Sequence, residues 1–309
     1  MGLVGGHRLG PFLLKTLGYG FGLQPRMIQR FLGKALGWCL MVCRFRTQVV
    51  RANLSYAYPN DPHQQKKVFR QSFEHLGNLF LEILMLFGPM RRFIVNFVDV
   101  KGLEHIQEAQ RLGKGMILLS SHVGNWEVMA GAAGVFSEMK LMLVTKALKP
   151  GWLHEAILQA RLRLGVRATY EPKTMREVLS HLKSNGAVGF VLDQYAGPPV
   201  GVRVPLFGVP VGTSLALATL VRRTEVPVLP VVNFRKPCGR WQVSVGAPLS
   251  WQKHESLHEE LAFNTAAYVQ FVEKCIREHP EQWLWIHRRF KGDLSPLRQG
   301  EWSDARVRK

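Results

Sequence analysis

The stretch that decides the fold is residues 116–127, which read MILLSSHVGNWE. The four apolar residues at its start predict a buried strand, and the spacing of apolar residues that begins at Asn125 predicts a helix. A strand followed by a helix is the repeating unit of α/β proteins, which bind ligands at the carboxyl ends of their strands. His122 and Glu127 lie at that position, so the same stretch predicts a functional site.

The spacing of His122 and Glu127 predicts a base and the group that orients it. Asn125 is a favourable helix N-cap, which places Glu127 in the first helical turn, where the macrodipole stabilises a carboxylate. That carboxylate would then hold the imidazole of His122 in one tautomer. For so short a motif taken alone, an ordinary capped turn, in which Glu127 is only a first-turn acid, is the more common case.

The rest of the chain alternates strand patterns with helix patterns. Predicted strands cover residues 93–100, 116–119, 141–145, 166–170, 187–192, 226–234 and 240–245. Predicted helices cover residues 63–86, 103–112, 125–136, 152–164, 175–183, 213–220 and 257–278, and a loop rich in glycine and proline covers 196–210. This alternation predicts an α/β fold with a mostly parallel central sheet covered by helices.

The composition of the 309-residue chain is strongly basic. Lysine and arginine number 41 against 22 aspartate and glutamate residues, which gives a formal net charge of +19. Such a charge favours an anionic partner: a membrane surface, an acidic protein or ligand, or a nucleic acid. We predict no nucleic-acid partner, because the chain has no recognisable nucleic-acid-binding motif and its cations are interspersed among apolar positions.

Residues 1–50 interleave apolar and basic side chains, and the first acid of the chain is Asp61. Helices with an apolar face, cations and a tryptophan suit the headgroup boundary of an anionic membrane, so we predict an N-terminal amphipathic, membrane-associating region. Helices packed on the protein with solvated cations are the alternative. The apolar run at 35–43 is shorter than the roughly 20 residues of a spanning helix. A main domain at 51–292 and a basic, flexible tail at 293–309 would follow.

The motifs of nucleotide, metal and serine chemistry are missing from the sequence. It has no Gly-x-x-x-x-Gly-Lys loop, no Gly-x-Gly-x-x-Gly turn, and no cysteines or histidines at zinc-ligand spacing, so we predict no cofactor and no metal. It also has no Gly-x-Ser-x-Gly elbow, which argues against a serine nucleophile. His122 would instead take a proton from a hydroxyl group whose oxygen attacks an activated carbonyl.

Further candidate residues follow other predicted strands. Asp193 and Gln194 come directly after the strand at 187–192, where a carboxylate contacts a ligand or caps a loop. Lys146 and Lys149 follow another strand and would hold a phosphate or a thioester-linked carrier, unless they are simply solvated. We predict that substrate is bound by Asn125, Lys146, Lys149, Asp193, Gln194 and Arg203.

Four segments in a fixed order carry a resemblance to a known family. They are RANLSYAYP at 51–59, HVGNWE at 122–127, DQ at 193–194 with VPLFG at 204–208, and PEQWLWIHRRFK at 280–291. Together they resemble the bacterial lipid A biosynthesis acyltransferases, the lauroyl and myristoyl transferases of the lysophospholipid acyltransferase superfamily. The resemblance extends over about residues 45–292, and four ordered segments are more specific than one.

The resemblance implies transfer of a fatty acyl chain from acyl carrier protein or coenzyme A to a hydroxyl group of an anionic membrane glycolipid, such as a lipid A precursor. The reaction would take place at the cytoplasmic face of the bacterial inner membrane. The family's base and orienting acid correspond to His122 and Glu127, and Asp193 is similar to a later acidic position of the family. A protein that binds lipid without catalysis, or one that acylates a phosphatidylinositol mannoside or an aminolipid, remains an alternative.

The sequence departs from the family after the strand that ends near Thr145. Members of the family commonly have Arg-Pro there, whereas this chain has Lys146-Ala147 and then Lys149-Pro150. Lysine keeps the positive charge but cannot form the two parallel hydrogen bonds of a guanidinium group. We therefore expect this side of the site to handle its donor or acceptor differently.

Overall fold

A seven-stranded sheet forms the centre of the protein in a computed structural model, which describes residues 6–137, 139–170 and 174–297. The described residues form nine strands, seven in this sheet and two, β6 and β7, outside it. They are β1 (Val98–Lys101), β2 (Met116–Ser120), β3 (Leu141–Val144), β4 (Val166–Thr169), β5 (Ala187–Val191), β6 (Gly201–Leu206), β7 (Val209–Ser214), β8 (Val228–Arg235) and β9 (Trp241–Val245). The helices are α1 (Gly6–Gly22), α2 (Arg26–Val42), α3 (Thr47–Ala57), α4 (Pro62–Leu84), α5 (Met90–Phe97), α6 (Leu103–Arg111), α7 (Trp126–Phe136), α8 (Gly151–Leu162), α9 (Thr174–Lys183), α10 (Ala216–Thr224) and α11 (Leu257–Glu278), with short 3₁₀ helices at Met85–Phe87 and Pro280–Gln282.

The strands of the sheet follow the order β1-β9-β8-β2-β5-β3-β4, and β6 with β7 forms a separate hairpin. Neighbouring strands of the sheet pair in parallel, except β8 and β9, which are antiparallel. This arrangement confirms the prediction of an α/β fold with a mostly parallel central sheet covered by helices.

Two hydrophobic cores lie on the two faces of the sheet, and β2 contributes alternate side chains to both. Ile117 and Leu119 belong to one core, and Met116 and Leu118 to the other. All the residues of β2 are buried. A strand that helices cover on both faces needs such an uninterrupted apolar run, because neither set of side chains faces water.

The register between β2 and β5 determines which residues meet at the carboxyl end of β2. Ser120 lies opposite Val191 in this parallel pair. The chain continues from these residues to His122 on one side and to Asp193 on the other. Because parallel strands end at the same edge of a sheet, this register brings His122 and Asp193 together from distant parts of the sequence.

The strand predicted at 93–100 is wrong for most of its length. Residues Met90–Phe97 form helix α5, and only Val98–Lys101 form a strand. The side chains that α5 buries are Met90, Phe93 and Ile94. Their spacing of three and four residues is that of one helical face, so the apolar run packs as a helix rather than as a strand.

The glycine- and proline-rich loop predicted at 196–210 is also wrong in part, because it contains most of the β6–β7 hairpin. The turn of the hairpin is at Phe207 and Gly208, whose φ angles are 53° and 77°. Pro205 lies opposite Pro210 in the hairpin. A two-stranded ribbon tolerates proline, since its outer edges need no ladder hydrogen bonds. The helix predicted from residue 213 begins three residues later, as α10.

The two N-terminal helices pack on α4 and α8, and the predicted boundary between residues 50 and 51 falls inside α3. Helix α2 presents an unusual face to α4: its buried residues are Gln29, Gly33 and Gly37. A Cβ atom at Gly37 would lie 2.2 Å from the carbonyl oxygen of Phe73, so the two helices cross in close backbone contact. Several larger apolar side chains of α2 therefore face away from the protein, while Leu40 and Met41, near its end, pack against the core.

The outward face of α2 exposes large apolar side chains to an unusual degree. Met27 is 80% exposed, Phe31 70% and Trp38 61%. Helix α1 likewise exposes Phe12 and Leu17. Among the described residues, no helix combines the length and the hydropathy that crossing a membrane requires. Residues 1–5 of the predicted N-terminal region and residues 298–309 of the predicted tail lie outside the described residues.

Candidate active site

The centre of the candidate site is a hydrogen-bonded pair, His122 and Asp193, at the carboxyl end of β2 and β5. Nδ1 of the His122 ring lies 2.7 Å from Oδ1 of Asp193. The backbone N–H of His122 donates to Oδ2 of the same carboxylate over 2.8 Å. One carboxylate therefore holds both the main chain and the ring of His122, which fixes the direction in which the imidazole points.

The indole of Trp283 completes the surroundings of the carboxylate. Its Nε1–H donates to Oδ2 of Asp193 over 2.7 Å, and both side chains are buried. Burial alone would raise the pKa of Asp193, but the charge and hydrogen bond of His122 and the hydrogen bond of Trp283 outweigh it and hold that pKa well below its usual range. Asp193 is thus an ionised carboxylate that accepts three hydrogen bonds.

The arrangement leaves one nitrogen of the His122 ring available for chemistry. When Nδ1 carries the proton that Asp193 accepts, Nε2 has a free lone pair, and within the described part of the chain it has no hydrogen-bond partner. The side chain is 13% exposed, so the ring is accessible only over a small area. The ring of Trp126 meets it edge-on at 4.9 Å between centroids and restricts its rotation.

The environment shifts the proton affinity of His122 upward. Burial of the ring lowers its pKa, because a charged imidazole is poorly solvated there. The charge of Asp193, its hydrogen bond and, to a smaller extent, the charge of Glu127 act in the opposite direction and prevail, so the pKa is raised above the ordinary histidine value. The ring is therefore a stronger base than a free histidine, as proton abstraction from a hydroxyl group requires.

The structure contradicts the predicted contact between the Glu127 carboxylate and the His122 ring. The carboxylate of Glu127 instead accepts two hydrogen bonds from Arg161 of α8, from Nε over 3.0 Å and from Nη2 over 2.6 Å. Both side chains of this ion pair are largely buried. The reason is geometric: Glu127 lies in the first turn of α7, and its side chain extends towards α8, while Asp193 occupies the position beside the imidazole.

Asn125 caps α7 as the sequence predicts. Its Oδ1 accepts hydrogen bonds from the backbone N–H groups of Glu127 and Val128 over 3.1 and 3.2 Å. Its Nδ2 donates to Glu82 over 3.3 Å, and its own carbonyl oxygen accepts from Asn233 over 2.6 Å. The side chain is completely buried, so the geometry supports a structural role rather than the substrate contact predicted for it.

The loop that carries His122 pairs with the C-terminal segment of the domain. The N–H of Gly124 donates to the carbonyl oxygen of Gln282 over 2.9 Å, and the N–H of Leu284 donates to that of His122 over 3.2 Å. Gly124 has a φ of +74°, and a Cβ atom there would lie 2.3 Å from the carbonyl oxygen of Asn233. Only glycine fits this close approach, so the loop position depends on it.

Two buried polar residues, Asn53 and Arg289, hold the segments around His122 and Asp193. The sequence did not identify either of them as a candidate. Asn53 of α3 donates to the carbonyl oxygens of Trp285 and His287, both over 2.7 Å. Arg289 donates to the carbonyl oxygens of Gln194 and Gly212 and to the hydroxyl of Thr213. Burial lowers the pKa of Arg289 to about 10, and it remains charged at neutral pH.

The sequence points to Asn53 and Arg289 only indirectly. Both fall in segments that carry the resemblance, Asn53 in 51–59 and Arg289 in 280–291. A lone asparagine and an arginine among other arginines carry no signal of burial in a single sequence. Apart from the hydroxyl of Thr213, their partners are backbone carbonyl groups, which every residue has, so only the fold reveals which ones they reach.

The remaining predicted residues do not gather at His122. Lys146 and Lys149 are exposed on the loop after β3, a strand that β5 separates from β2. The side chain of Gln194 is exposed, and its backbone oxygen is the group that accepts from Arg289. Arg203 of the hairpin forms an ion pair with Asp293 at 2.9 Å and donates to the carbonyl oxygen of Ser295. Their predicted contacts with substrate stay predictions.

Comparison with known proteins identifies relatives over most of the chain. A family model described as bacterial lipid A biosynthesis acyltransferase matches residues 8–292. The chain is 31% identical over 267 residues to the lipid A biosynthesis lauroyltransferase of Escherichia coli K12, and the match covers 84% of each protein. It is 28% identical over 278 residues to the lipid A biosynthesis palmitoleoyltransferase of that bacterium, with 86% of each covered. It is 27% identical over 235 residues to the phosphatidylinositol mannoside acyltransferase of Mycobacterium tuberculosis H37Rv, with 74% of this chain and 72% of that one covered.

Proposed function

This chain belongs to the family of bacterial lipid A biosynthesis acyltransferases, and we propose that it transfers a fatty acyl chain from a thioester donor to a hydroxyl group of a lipid A precursor. Its relatives are named acyltransferases, so the chain is an O-acyltransferase enzyme. The observation that carries the proposal is the buried pair of His122 and Asp193, which leaves Nε2 of the histidine free at the edge of the sheet.

In the proposed reaction His122 acts as the general base. Its Nε2 takes the proton of the acceptor hydroxyl while the hydroxyl oxygen attacks the carbonyl carbon of the thioester. A carbon–oxygen bond forms, the carbon–sulfur bond then breaks, and the departing thiolate takes the proton back from the imidazolium. The products are an ester and a free thiol, and the histidine returns to its neutral form.

Asp193 is the positioning residue of this mechanism. Its hydrogen bond keeps the proton on Nδ1, so that Nε2 is the basic atom, and its charge stabilises the imidazolium that forms in the transition state. Glu127 contributes negative charge from a position fixed by Arg161. This division of roles replaces the interpretation in which Glu127 orients the imidazole directly.

The charge of the protein suits both reactants. With a formal net charge of +19, the chain attracts an acidic acyl carrier protein or the phosphates of coenzyme A as donor, and an anionic glycolipid as acceptor. We propose no cofactor, because the transfer from a thioester involves only proton movement and the exchange of one nucleophile for another.

The outward faces of α1 and α2 support attachment to a membrane surface, the cytoplasmic face of the bacterial inner membrane in this proposal. Apolar side chains such as Phe12, Met27, Phe31 and Trp38 are exposed there, while α2 buries glycine and glutamine. Helices that turn large apolar side chains away from their own protein are stable when those side chains enter lipid.

The relatives of the chain act on two classes of acceptor, according to their names. A lipid A precursor is favoured over a phosphatidylinositol mannoside, since the lauroyltransferase is more similar to the chain and aligns with more of it. A protein that binds lipid without catalysis is disfavoured, because an oriented, partly exposed base has no use in lipid binding alone.

The proposal is tested with the purified full-length protein, a lipid A precursor in mixed micelles, and either acyl carrier protein or coenzyme A carrying the acyl chain. We expect mass spectrometry to show one added acyl chain on the acceptor and release of one thiol. His122→Ala should lower kcat about 10²–10⁴-fold, the usual contribution of a general base, without loss of the folded state. Undiminished transfer by His122→Ala would rule out this mechanism.

Parallel assays distinguish the alternatives. Transfer to a phosphatidylinositol mannoside but not to the lipid A precursor would replace the acceptor. Binding of lipid without thiol release, with either donor, would identify a lipid-binding protein instead of an enzyme. The two donors are compared by kcat/KM, and the carrier with the higher value is the donor.

A further inference from the structure

A wide groove lined by cations opens next to the candidate site. Its volume is about 1340 Å³, and it lies among the end of α2, the start of α3, one face of α4 and the segment after Ile286. The charged residues that line it are Arg44, Arg46, Arg51, Lys66, Arg70, Arg288 and Lys291. No carboxylate is among its lining residues within the described parts of the chain. We call it the basic groove.

The cations of the basic groove are not neutralised by the protein itself. Elsewhere, buried or half-buried cations such as Arg161 and Arg235 have carboxylate partners. In the part of the chain that the structure describes, none of the seven groove cations forms an ion pair. Their side chains are exposed, and seven positive charges that line one concavity raise the local concentration of anions.

The first turn of α3 adds a second source of positive potential. Thr47, Gln48 and Val49 line the groove, so the N-terminal end of an eleven-residue helix faces it. In the described residues no side chain caps this helix, and its first turn has no acid. Thr47 and Val49 donate their N–H groups to the carbonyl oxygens of Arg44 and Arg46, so the helix dipole is what favours an anion at this end, and phosphate groups most of all when arginines stand beside it.

The basic groove adjoins the catalytic pair through His287. This residue lines the groove, and the charges of Asp193 and His122 both act on its pKa, which burial lowers. The segment that precedes it is bonded to the catalytic loop, because Leu284 donates to the carbonyl oxygen of His122. The groove lining and the loop that carries His122 are therefore joined through the segment from Leu284 to His287.

The groove also adjoins the apolar surface of the N-terminal helices. Met41 and Val42, at the end of α2, belong to its lining. Val42 is exposed, as are Phe31 and Trp38 of the same helix. The groove thus lies where an apolar surface ends and a charged one begins, which is the position of a phosphorylated headgroup when the acyl chains of the lipid enter the membrane.

We propose that the basic groove binds a phosphate group of the acceptor glycolipid and so holds the acceptor hydroxyl beside His122. This inference rests on the proposed function, since it assigns a binding site to the acceptor of that reaction. A concave groove at the lipid-facing end of α2 favours the headgroup of a membrane lipid over a folded carrier protein, which needs a surface open to its own convex face. The phosphates of coenzyme A share this chemistry, and the experiment separates them.

The experiment compares two triple variants of the full chain with equal loss of charge. The groove variant is Arg44→Gln/Arg70→Gln/Arg288→Gln, and the control variant is Arg111→Gln/Arg167→Gln/Arg176→Gln, whose three arginines are exposed and lie outside the groove lining. Each is assayed with an extracted lipid A precursor and with the same lipid after phosphatase treatment. Steady-state kinetics give KM and kcat for acceptor and donor separately.

We expect the groove variant to raise KM for the phosphorylated acceptor about tenfold or more, the effect of losing one or two charge-assisted contacts, and to leave kcat within about threefold. Dephosphorylation should raise KM of the wild-type protein by a similar factor and change the groove variant little. The control variant should resemble the wild type. Equal KM values in the groove and control variants would overturn the proposal, as would an increase confined to KM of the donor.

A binding measurement without any donor separates this inference from the proposed function. Calorimetric titration of the wild-type protein with micelles of the phosphorylated lipid should give a dissociation constant about tenfold lower than titration with the dephosphorylated lipid. The groove variant should lose that difference. If the protein fails to transfer an acyl chain but shows this difference, the proposed function fails and the phosphate site stands; the absence of the difference overturns the site.

Discussion

The pair of His122 and Asp193 and the N-terminal helices differ in which side chains they bury. At the carboxyl end of β2 and β5, polar and charged groups are buried, and His122, Asp193 and Trp283 satisfy one another by hydrogen bonds. On α2 the buried residues are Gln29, Gly33 and Gly37, and large apolar ones such as Met27, Phe31 and Trp38 are exposed. The first region is complete within the chain, while the second needs a partner from outside it.

Substitutions in the two regions should affect different properties, the rate of acyl transfer in one and attachment to lipid in the other. A change in the pair of His122 and Asp193 should alter the proposed chemical step and leave binding to lipid intact, because the pair lies at the carboxyl end of β2 and β5 and not on the N-terminal helices. A change on the outward face of α2 should weaken attachment to lipid and leave the chemistry of bound substrate intact. Three variant proteins test these expectations, in order of decreasing expected effect.

The largest effect is expected from Asp193→Asn. The amide keeps the size of the side chain and can still accept from Trp283, but it cannot stabilise an imidazolium or hold the proton on Nδ1. We expect kcat to fall about 10²–10⁴-fold, with KM for the acceptor and partition into vesicles unchanged. Steady-state kinetics and vesicle sedimentation measure the two properties.

Glu127→Gln is the matched comparison for Asp193→Asn. It removes a carboxylate from the same region, but one that contacts Arg161 and not the imidazole. A loss of kcat in Glu127→Gln that exceeds the loss in Asp193→Asn would return the orienting role to Glu127. Circular dichroism of both proteins shows whether either loss arises from unfolding.

An intermediate effect is expected from Met27→Ser/Phe31→Ser/Trp38→Ser on the outward face of α2. Burial of a large apolar side chain contributes about 1.5–3 kcal/mol, so three partly inserted side chains should change partition into anionic vesicles at least tenfold. Because these residues are exposed in the protein, the melting temperature should stay the same. Sedimentation with vesicles, and acyl transfer to a micellar acceptor, provide the measurements.

The control for this variant lies on another helix. Leu112→Ser and Met175→Ser remove exposed apolar side chains from outside the N-terminal helices. If they weaken vesicle binding as much as the α2 variant does, the apolar surface of α2 has no special role. A loss of transfer to a micellar acceptor in the α2 variant would contradict the separation between the two regions.

The smallest effect concerns the pH dependence of the reaction. The pKa of His122 is raised, and a general base is active only in its neutral form, so kcat/KM should increase with pH and level off above a pKa that exceeds the ordinary value of about 6.5. The charge of Glu127 contributes to this rise. Glu127→Gln should therefore move the acid limb to lower pH, by less than about one unit.

Rate measurements over a range of pH, for the wild-type protein and Glu127→Gln, test this prediction. Lys183→Gln is a suitable control, since its exposed charge lies on α9 and far from the imidazole in the fold. An acid limb below the ordinary histidine pKa in the wild-type protein would contradict the geometry of the pair. A limb that moves upward in Glu127→Gln would contradict the assigned sign of the Glu127 charge.

Local patterns in the sequence predicted much of the structure correctly. The apolar run 116–119 became β2, Asn125 became the N-cap of α7, and the long helix at 257–278 has the bounds that its apolar spacing indicates. Such features depend on residues within a few positions of one another. The apolar run at 93–100 shows the limit, because a short run fits a strand and a helix alike until its packing partners are known.

The sequence alone determined the class of fold, the place of the site and the candidate base, because each depends on a local pattern or on the order of the segments along the chain. The tertiary structure decided the partner of His122. Glu127 is near it in sequence, but the first turn of α7 directs Glu127 to Arg161, while the parallel pairing of β2 and β5 brings in Asp193 from 71 positions away. Strand order is a long-range property of the packed chain, and no spacing in a single sequence contains it.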